Sequence, residues 1–166
     1  MVSKESFQIY IANTGTSREE RMWNSVDQIQ TILKDLEEKQ EAINEIHLSN
    51  NSIGLEVSEA LAKRISCLKN LQNVGYNDIY VSRLKSEIPK SLTGLIEAIQ
   101  DKNIIVLNLS DNAFGPSGVS AFDFYLKTNT TLKELYLENN GLGPEGASSV
   151  ALALKSNPNI HLERLR

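Results

Sequence analysis

The sequence has little of what most chemical sites require. Its 166 residues include one cysteine, Cys67, and two histidines, His47 and His161. A lone cysteine forms no internal disulfide, and Cys67 is expected to be a reduced, partly buried thiol packed as a small apolar group. Two distant histidines without a second cysteine leave zinc no ligand set. No GxxxxGK[ST] or GxGxxG loop is present, so nothing in the chain is built to hold a nucleotide itself. No run approaches the ~18 apolar residues of a membrane span. The N-terminus lacks the basic-then-apolar pattern of a secretory signal. These absences favour the cytosol or nucleus.

The two signs of charge nearly balance. Lys and Arg number 17 against 21 Asp and Glu, and the net charge of −4 argues against nucleic acid while suiting a basic protein partner. With 40% apolar and 23% charged residues the chain is an ordinary globular one rather than disordered. Its length suits one domain of about 100–200 residues.

What the sequence does have is a repeat. Ile43–Asn51 (INEIHLSNN), Ile104–Asn112 (IIVLNLSDN) and Leu132–Asn140 (LKELYLENN) align without gaps as LxxLxLxxN, the leucine-rich-repeat signature. Asn112 and Asn140 stand 28 residues apart; Asn51 and Asn112 stand 61 apart, leaving room for one more unit. That unit is Leu71–Ile79 (LQNVGYNDI), which keeps the apolar spacing but puts Ile79 where asparagine belongs. Alternating apolar residues such as Leu107 and Leu109 should point inward from a short strand, with Asn108 facing outward. The closing asparagines Asn51, Asn112 and Asn140 should turn inward as a ladder that satisfies backbone groups between units.

A turn and a helix follow each strand. Gly115 and Gly143 permit unusual backbone angles, and Pro116 and Pro144 suit a helix's first turn. The helical stripes run Val57, Ala60, Leu61, Ile65; Ile88, Leu92, Leu95, Ile96, Ile99; Val119, Phe122, Leu126; and Ala147, Val150, Ala151, Leu154. A unit of this length has room for a true α-helix on its convex side. The fold class is therefore α/β, a ribonuclease-inhibitor-like right-handed crescent with parallel strands concave and helices convex. Residues 1–166 form one such domain. Residues 1–42 are a variant capping unit, 43–67, 68–103, 104–131 and 132–159 are repeats, and 160–166 open a truncated repeat. In the first unit Phe7, Ile9 and Ile11 alternate as a strand, and the polar stretch Asn13–Glu20 links it to a helical stripe of Met22, Val26, Ile29, Leu33 and Leu36. Lys34–Glu41 is a solvated helix face. Ile160, Leu162 and Leu165 begin a further unit, so the expectation is a chain cut from a longer protein or an open end covered by self-association.

The anomalous second unit carries the functional signal, since local failure of a repeat rule often marks a site. Its loop Asp78–Pro89 (DIYVSRLKSEIP) resembles the D-[IL]-[FY]-T-x-R-[VL]-x-[DE]-E-[IV] segment of the Ran GTPase-activating proteins. Leu109–Pro116 (LSDNAFGP) matches that family nearly letter for letter, and Leu137–Pro144 (LENNGLGP) matches its L-x-N-N-G-[LM]-G-P. Leu48–Gly54 (LSNNSIG) is a fourth match, in order and at compatible spacing. Val81-Ser82 departs from the family, where a threonine and a small or polar residue precede the arginine. Members also carry several further repeats and commonly an acidic tail, neither of which is present in these 166 residues.

The resemblance implies a partner, Ran in its GTP form, and a role in nucleocytoplasmic transport. The chain would speed hydrolysis of GTP that Ran holds with its Mg²⁺, needing no cofactor and being no enzyme by itself. It also implies a cytoplasmic location, the cytoplasmic face of the nuclear envelope included. By position, Arg83 matches the family's characteristic arginine and Asn139 its functional asparagine, with Asn140 left to the ladder. Activators either insert an arginine beside the transferring phosphoryl group or hold the GTPase's own glutamine and water in place. Arg83 taken alone invites the first device, whereas the family resemblance implies the second. Asn139 would then order the partner's machinery, and Arg83 would fix the interface through a charge-assisted bond to an acid such as Asp78. Asp78, Lys85, Asp111, Asn50 and Glu138 are expected at the partner-binding rim, where an exposed charge contributes under ~1 kcal/mol. The alternatives are a leucine-rich-repeat adaptor without activating function, or an inhibitor module using Tyr76 and Tyr136 as concave aromatic anchors.

Overall fold

A computed structural model describes residues 8–12 and 15–166. The strands are β1 (Gln8–Ile11), β2 (Met22–Trp23), β3 (Ile43–His47), β4 (Ser52–Ile53), β5 (Asn73–Gly75), β6 (Val106–Asn108), β7 (Glu134–Tyr136) and β8 (Arg164–Leu165). The helices are α1 (Gln30–Glu38), α2 (Leu55–Ile65), α3 (Ile88–Glu97), α4 (Asp123–Thr128) and α5 (Gly143–Ser156). Six strands form one parallel sheet in the order β1-β3-β5-β6-β7-β8, and β2 pairs with β4 in a separate two-stranded ribbon. This is a leucine-rich-repeat solenoid.

The period-2 pattern fixes the sheet. Ile46, Val74, Leu107 and Leu135 lie in one register row and are all buried, because a strand shifted by one residue would turn its apolar set to solvent. Successive units thus advance by 28, 33 and 28 residues along that row, and the longer step falls in the unit that carries Arg83. Behind the sheet α2 packs on α3, and the α3 stripe of Ile88, Leu92, Leu95 and Ile96, continued by Ile99, is buried. Pro89 sits in the first turn of α3, where its missing N–H costs nothing. Each such fully buried aliphatic side chain contributes roughly 1.5–3 kcal/mol relative to exposure.

The ladder forms between successive units. Asn140 donates from Nδ2 to the carbonyls of Leu109 at 2.9 Å and Leu137 at 3.0 Å, while its Oδ1 accepts the Asn112 N–H at 2.9 Å. Asn112 repeats the motif with Tyr76, Leu109 and the Ile79 N–H. A second pair was not visible in the repeat signature. Asn157, buried after α5, donates to the carbonyls of Leu126 and Asn129, and buried Asn129 accepts the N–H groups of Thr131 and Leu132.

Several expectations change. In β1 the phase is the reverse of the one predicted. Tyr10 pairs with the inward Ile46, so Tyr10 and Ala12 face the core while Ile9 and Ile11 are 62% and 68% exposed. Phe7 and Asn13 lie outside the described residues. Met22 belongs to β2 rather than to a helix, because Met22 and Trp23 pair with Ser52 and Ile53 and Trp23 enters the core. The third unit's convex element is split between a 3₁₀ turn, Pro116–Ala121, and the short α4. Phe122 breaks the helical geometry there at φ −131°, and its buried ring meets Phe114 edge-on at 5.6 Å. In α5 the residues Ala147 and Ala151 are exposed, and they line an apolar hollow of about 220 Å³ with Leu137, Leu142, Val150 and Leu165. Cys67 is exposed rather than partly buried, since it follows the end of α2 on the surface. Tyr76 points into the core, and burial pushes its phenol well above the usual range, which removes it as a concave anchor. Among the described residues no helix is long and apolar enough to cross a membrane.

Candidate functional site

One backbone conformation recurs at the lip of the sheet. Asn50, Asp78, Asp111 and Asn139 have φ of 62°, 53°, 62° and 54°, each one residue before the inward position of its unit. The chain must reverse there to bring Asn51, Ile79, Asn112 or Asn140 under the loop. A left-handed residue does this, and Asn and Asp tolerate that region best among residues with a Cβ. Four of the predicted site residues are therefore equivalent positions, set side by side by the parallel register. Asn50, Asp111 and Asn139 are exposed and Asp78 is half-buried. Burial raises the Asp78 carboxyl, Asp111 raises it further, and Arg21 opposes both. The Asn139 amide donates to Asp111 Oδ1 at 2.8 Å.

Arg83 takes a different position from the one predicted. Its Nη1 donates to Asn24 Oδ1 at 2.7 Å, and its Nη2 donates to the carbonyls of Trp23, at 3.0 Å, and Ser52. These oxygens come from the chain ends of the β2–β4 ribbon. Gly54 closes the socket, where a Cβ would lie 3.3 Å from Nη1 and 3.1 Å from the Trp23 carbonyl. The acid Asp78 is not among these partners, because the guanidinium is directed at neutral oxygens of the first units. Desolvation lowers the Arg83 pKa, with Glu87 acting in the opposite sense. Next to it Arg18 bonds Ser82 Oγ at 2.6 Å, holding a residue that is itself left-handed at φ 63°.

Lys85 is exposed and lines a hollow of about 230 Å³ with Arg83, Ser82, Asp111 and Ala113. Asn50 and Asp78 line another, of about 180 Å³, with Arg18, Arg21 and Val81. Glu138 is exposed and its N–H donates to Ser110 Oγ. The structure thus brings Asp111 against both Asn139 and the hollow of Arg83. Sequence reasoning missed Arg18, Arg21 and Asn24, which sit in and just beyond a stretch read as a mere link. The available signal was two arginines at three-residue spacing beside the apolar pair Met22-Trp23.

The concave floor has its own polar cluster. His47 lies across Gly75, where a Cβ would come 2.4 Å from Nδ1. Its Nε2 meets Glu45 Oε1 at 2.6 Å, and Asn73 donates to Glu45 Oε2 at 3.1 Å. The His47 hydrogen bond holds the Glu45 carboxyl below its ordinary value, with Asn73 assisting. A depressed carboxyl contributes stability above its unfolded pKa and loses it as pH falls through the folded one. Gly75→Ala should swing the imidazole into solvent and raise the Glu45 pKa toward normal, read by NMR titration. Unfolding free energy should change by less than about 1 kcal/mol because the ring end is free to move. Among the described residues no group of three or more His, Cys, Asp or Glu side chains gathers as a metal ion would need.

Comparison with known proteins bears on this lip. The leucine-rich-repeat family matches residues 100–122 and 128–151, the two most regular units. Ran GTPase-activating protein 1 of Xenopus laevis is 35% identical over 118 residues, covering 69% of this chain and 20% of that protein. RAN GTPase-activating protein 2 of Arabidopsis thaliana is 33% identical over 121 residues, 72% of this chain and 22% of its own length. Ran GTPase-activating protein 1 of Saccharomyces cerevisiae is 37% identical over 97 residues, 55% of this chain and 24% of the yeast protein. Over about 70% of its own length this chain is similar to Ran GTPase-activating proteins. The chain spans between about a fifth and a quarter of the length of the curated relatives it matches. Within the family match, the repeat signature itself covers Asn139 and Asp111 but not Arg83, whose unit departs from it.

Proposed function

We propose that this chain stimulates GTP hydrolysis by a Ran-type small GTPase in its GTP-bound form, and so serves nucleocytoplasmic transport from the cytoplasmic side. GTP and Mg²⁺ stay with the partner. The observation that carries the mechanism is the socket of Arg83. A guanidinium held by three oxygens of its own chain is a strap, and inserting it into a nucleotide site would forfeit all three bonds. That favours ordering of the partner's own water and side chains over an arginine finger. Asn139, exposed at the lip on a left-handed turn, would do the ordering. Asp78, Lys85, Asp111, Asn50 and Glu138 provide the surrounding rim.

Single-turnover hydrolysis of GTP by Ran, with and without the chain, tests this. The chain should accelerate it, and Asn139→Ala should reduce the saturated rate on the order of 100-fold, as misplacement of reacting groups does. Binding without acceleration would overturn the activator reading and leave the adaptor.

A further inference from the structure

The Asn139 amide has two faces, and Asp111 decides which one meets a partner. A carboxylate only accepts hydrogen bonds, so an amide 2.8 Å from Asp111 Oδ1 must turn its NH₂ toward it. The reverse orientation would set two acceptors face to face. With one N–H of the NH₂ committed along the row of units, Oδ1 lies on the side of the amide away from Asp111, and Asn139 itself is exposed. Asp111 is itself fixed, by its left-handed turn at φ 62° and by its N–H, which donates to the Glu138 carbonyl at 2.9 Å.

We infer that Asp111 is the positioning residue of Asn139: it locks the amide so that its oxygen is the face presented, and the partner group met there is an N–H or O–H donor. This rests on the proposed activating function, but its geometry is testable without it. The bond crosses from one repeat to the next, so amide orientation is set by the stacking of units rather than by Asn139's own loop. The rim role assigned to Asp111 from sequence is a different one: it would act on the partner by charge.

Two substitutions separate these roles, because Gly and Asn both accept a left-handed backbone. Asp111→Asn keeps an acceptor and removes the charge, whereas Asp111→Gly removes both. In single-turnover assays with Ran, Asp111→Gly should lower the saturated rate roughly 10-fold or more, with little change in the half-saturating concentration. Asp111→Asn should restore the rate to within about 3-fold of the parent. Equal damage by the two, or a Gly variant that keeps its saturated rate, would overturn the inference. NMR of the isolated chain supplies the second readout. The hydrogen-bonded Asn139 side-chain proton should shift upfield in Asp111→Gly and stay in place in Asp111→Asn. An unchanged resonance in the Gly variant would also overturn it. No acceleration by the parent chain would count against the proposed function alone, since the NMR comparison stands without Ran.

Discussion

Arg83→Ala is expected to lower the unfolding free energy by roughly 2–4 kcal/mol, the range for removing several charge-assisted hydrogen bonds from partly buried partners. The variant leaves the carbonyls of Trp23 and Ser52 and the Asn24 side chain without their donor. Arg83→Lys should recover little, because one ammonium cannot span three acceptors that a planar fork reaches together. Denaturant melts give the size of the loss, and hydrogen exchange should place it at the β2–β4 ribbon and the Asp78–Glu87 loop. Salt provides a further check. All three acceptors are neutral oxygens, so the stabilisation should persist at high ionic strength, where an Arg83–Asp78 ion pair would weaken. Stimulation of Ran should fall about 10-fold or more in the same variant, since freeing the loop moves the lip out of register. A variant with parental stability and loop protection would refute the strap.

Asn112→Ala should be at least as costly, by about 3–5 kcal/mol, and without any effect specific to the partner. Asn112 is 3% exposed and its side chain makes three bonds, two of them to the preceding unit: Nδ2 to the Tyr76 carbonyl at 2.8 Å and Oδ1 from the Ile79 N–H at 2.9 Å, with Nδ2 also reaching the Leu109 carbonyl of its own unit at 2.8 Å. Truncation strands backbone groups that no water reaches readily. Asn51→Ala should cost less. Its Nδ2 also serves the carbonyls of Ala12 and Leu48, but its Oδ1 has no partner among the described residues. Paired guanidinium denaturation curves compare the two, and equal losses would show that the central rung carries no more than the first.

The scaffold was legible wherever two independent patterns agreed. Alternation and the closing asparagine both locate β3, β6 and β7, and alternation alone placed β5 because Val74 and Tyr76 flank a glycine that could not mislead it. β1 was misread because Ile9 and Ile11 outweigh Tyr10 in apolarity, while the pairing of Tyr10 with Ile46 decides which side faces the core. The candidate site divides in the same way. Asn50, Asp78, Asp111 and Asn139 could be aligned because each precedes a repeat position. The partners of Arg83 could not, since two of its three acceptors are backbone carbonyls, which every residue possesses and no side-chain pattern reveals. The Phe122 break in the third unit was hidden too, because the stripe Val119, Phe122, Leu126 fits a 3₁₀ turn followed by a helix as well as it fits one helix.

The left-handed lip also restricts its own chemical alphabet. A β-branched or bulky residue there would be strained, so each unit can offer little besides an amide, a carboxylate or nothing at all. Parallel strands stand about 4.8 Å apart, which spaces these groups like marks on a ruler. Along it this chain reads neutral, acidic, acidic, neutral from Asn50 to Asn139. Exchanging Asn for Asp is nearly isosteric and leaves the turn unaltered. The crescent can therefore rewrite its charge sequence one mark at a time, and change which surfaces it fits, while the fold beneath stays the same.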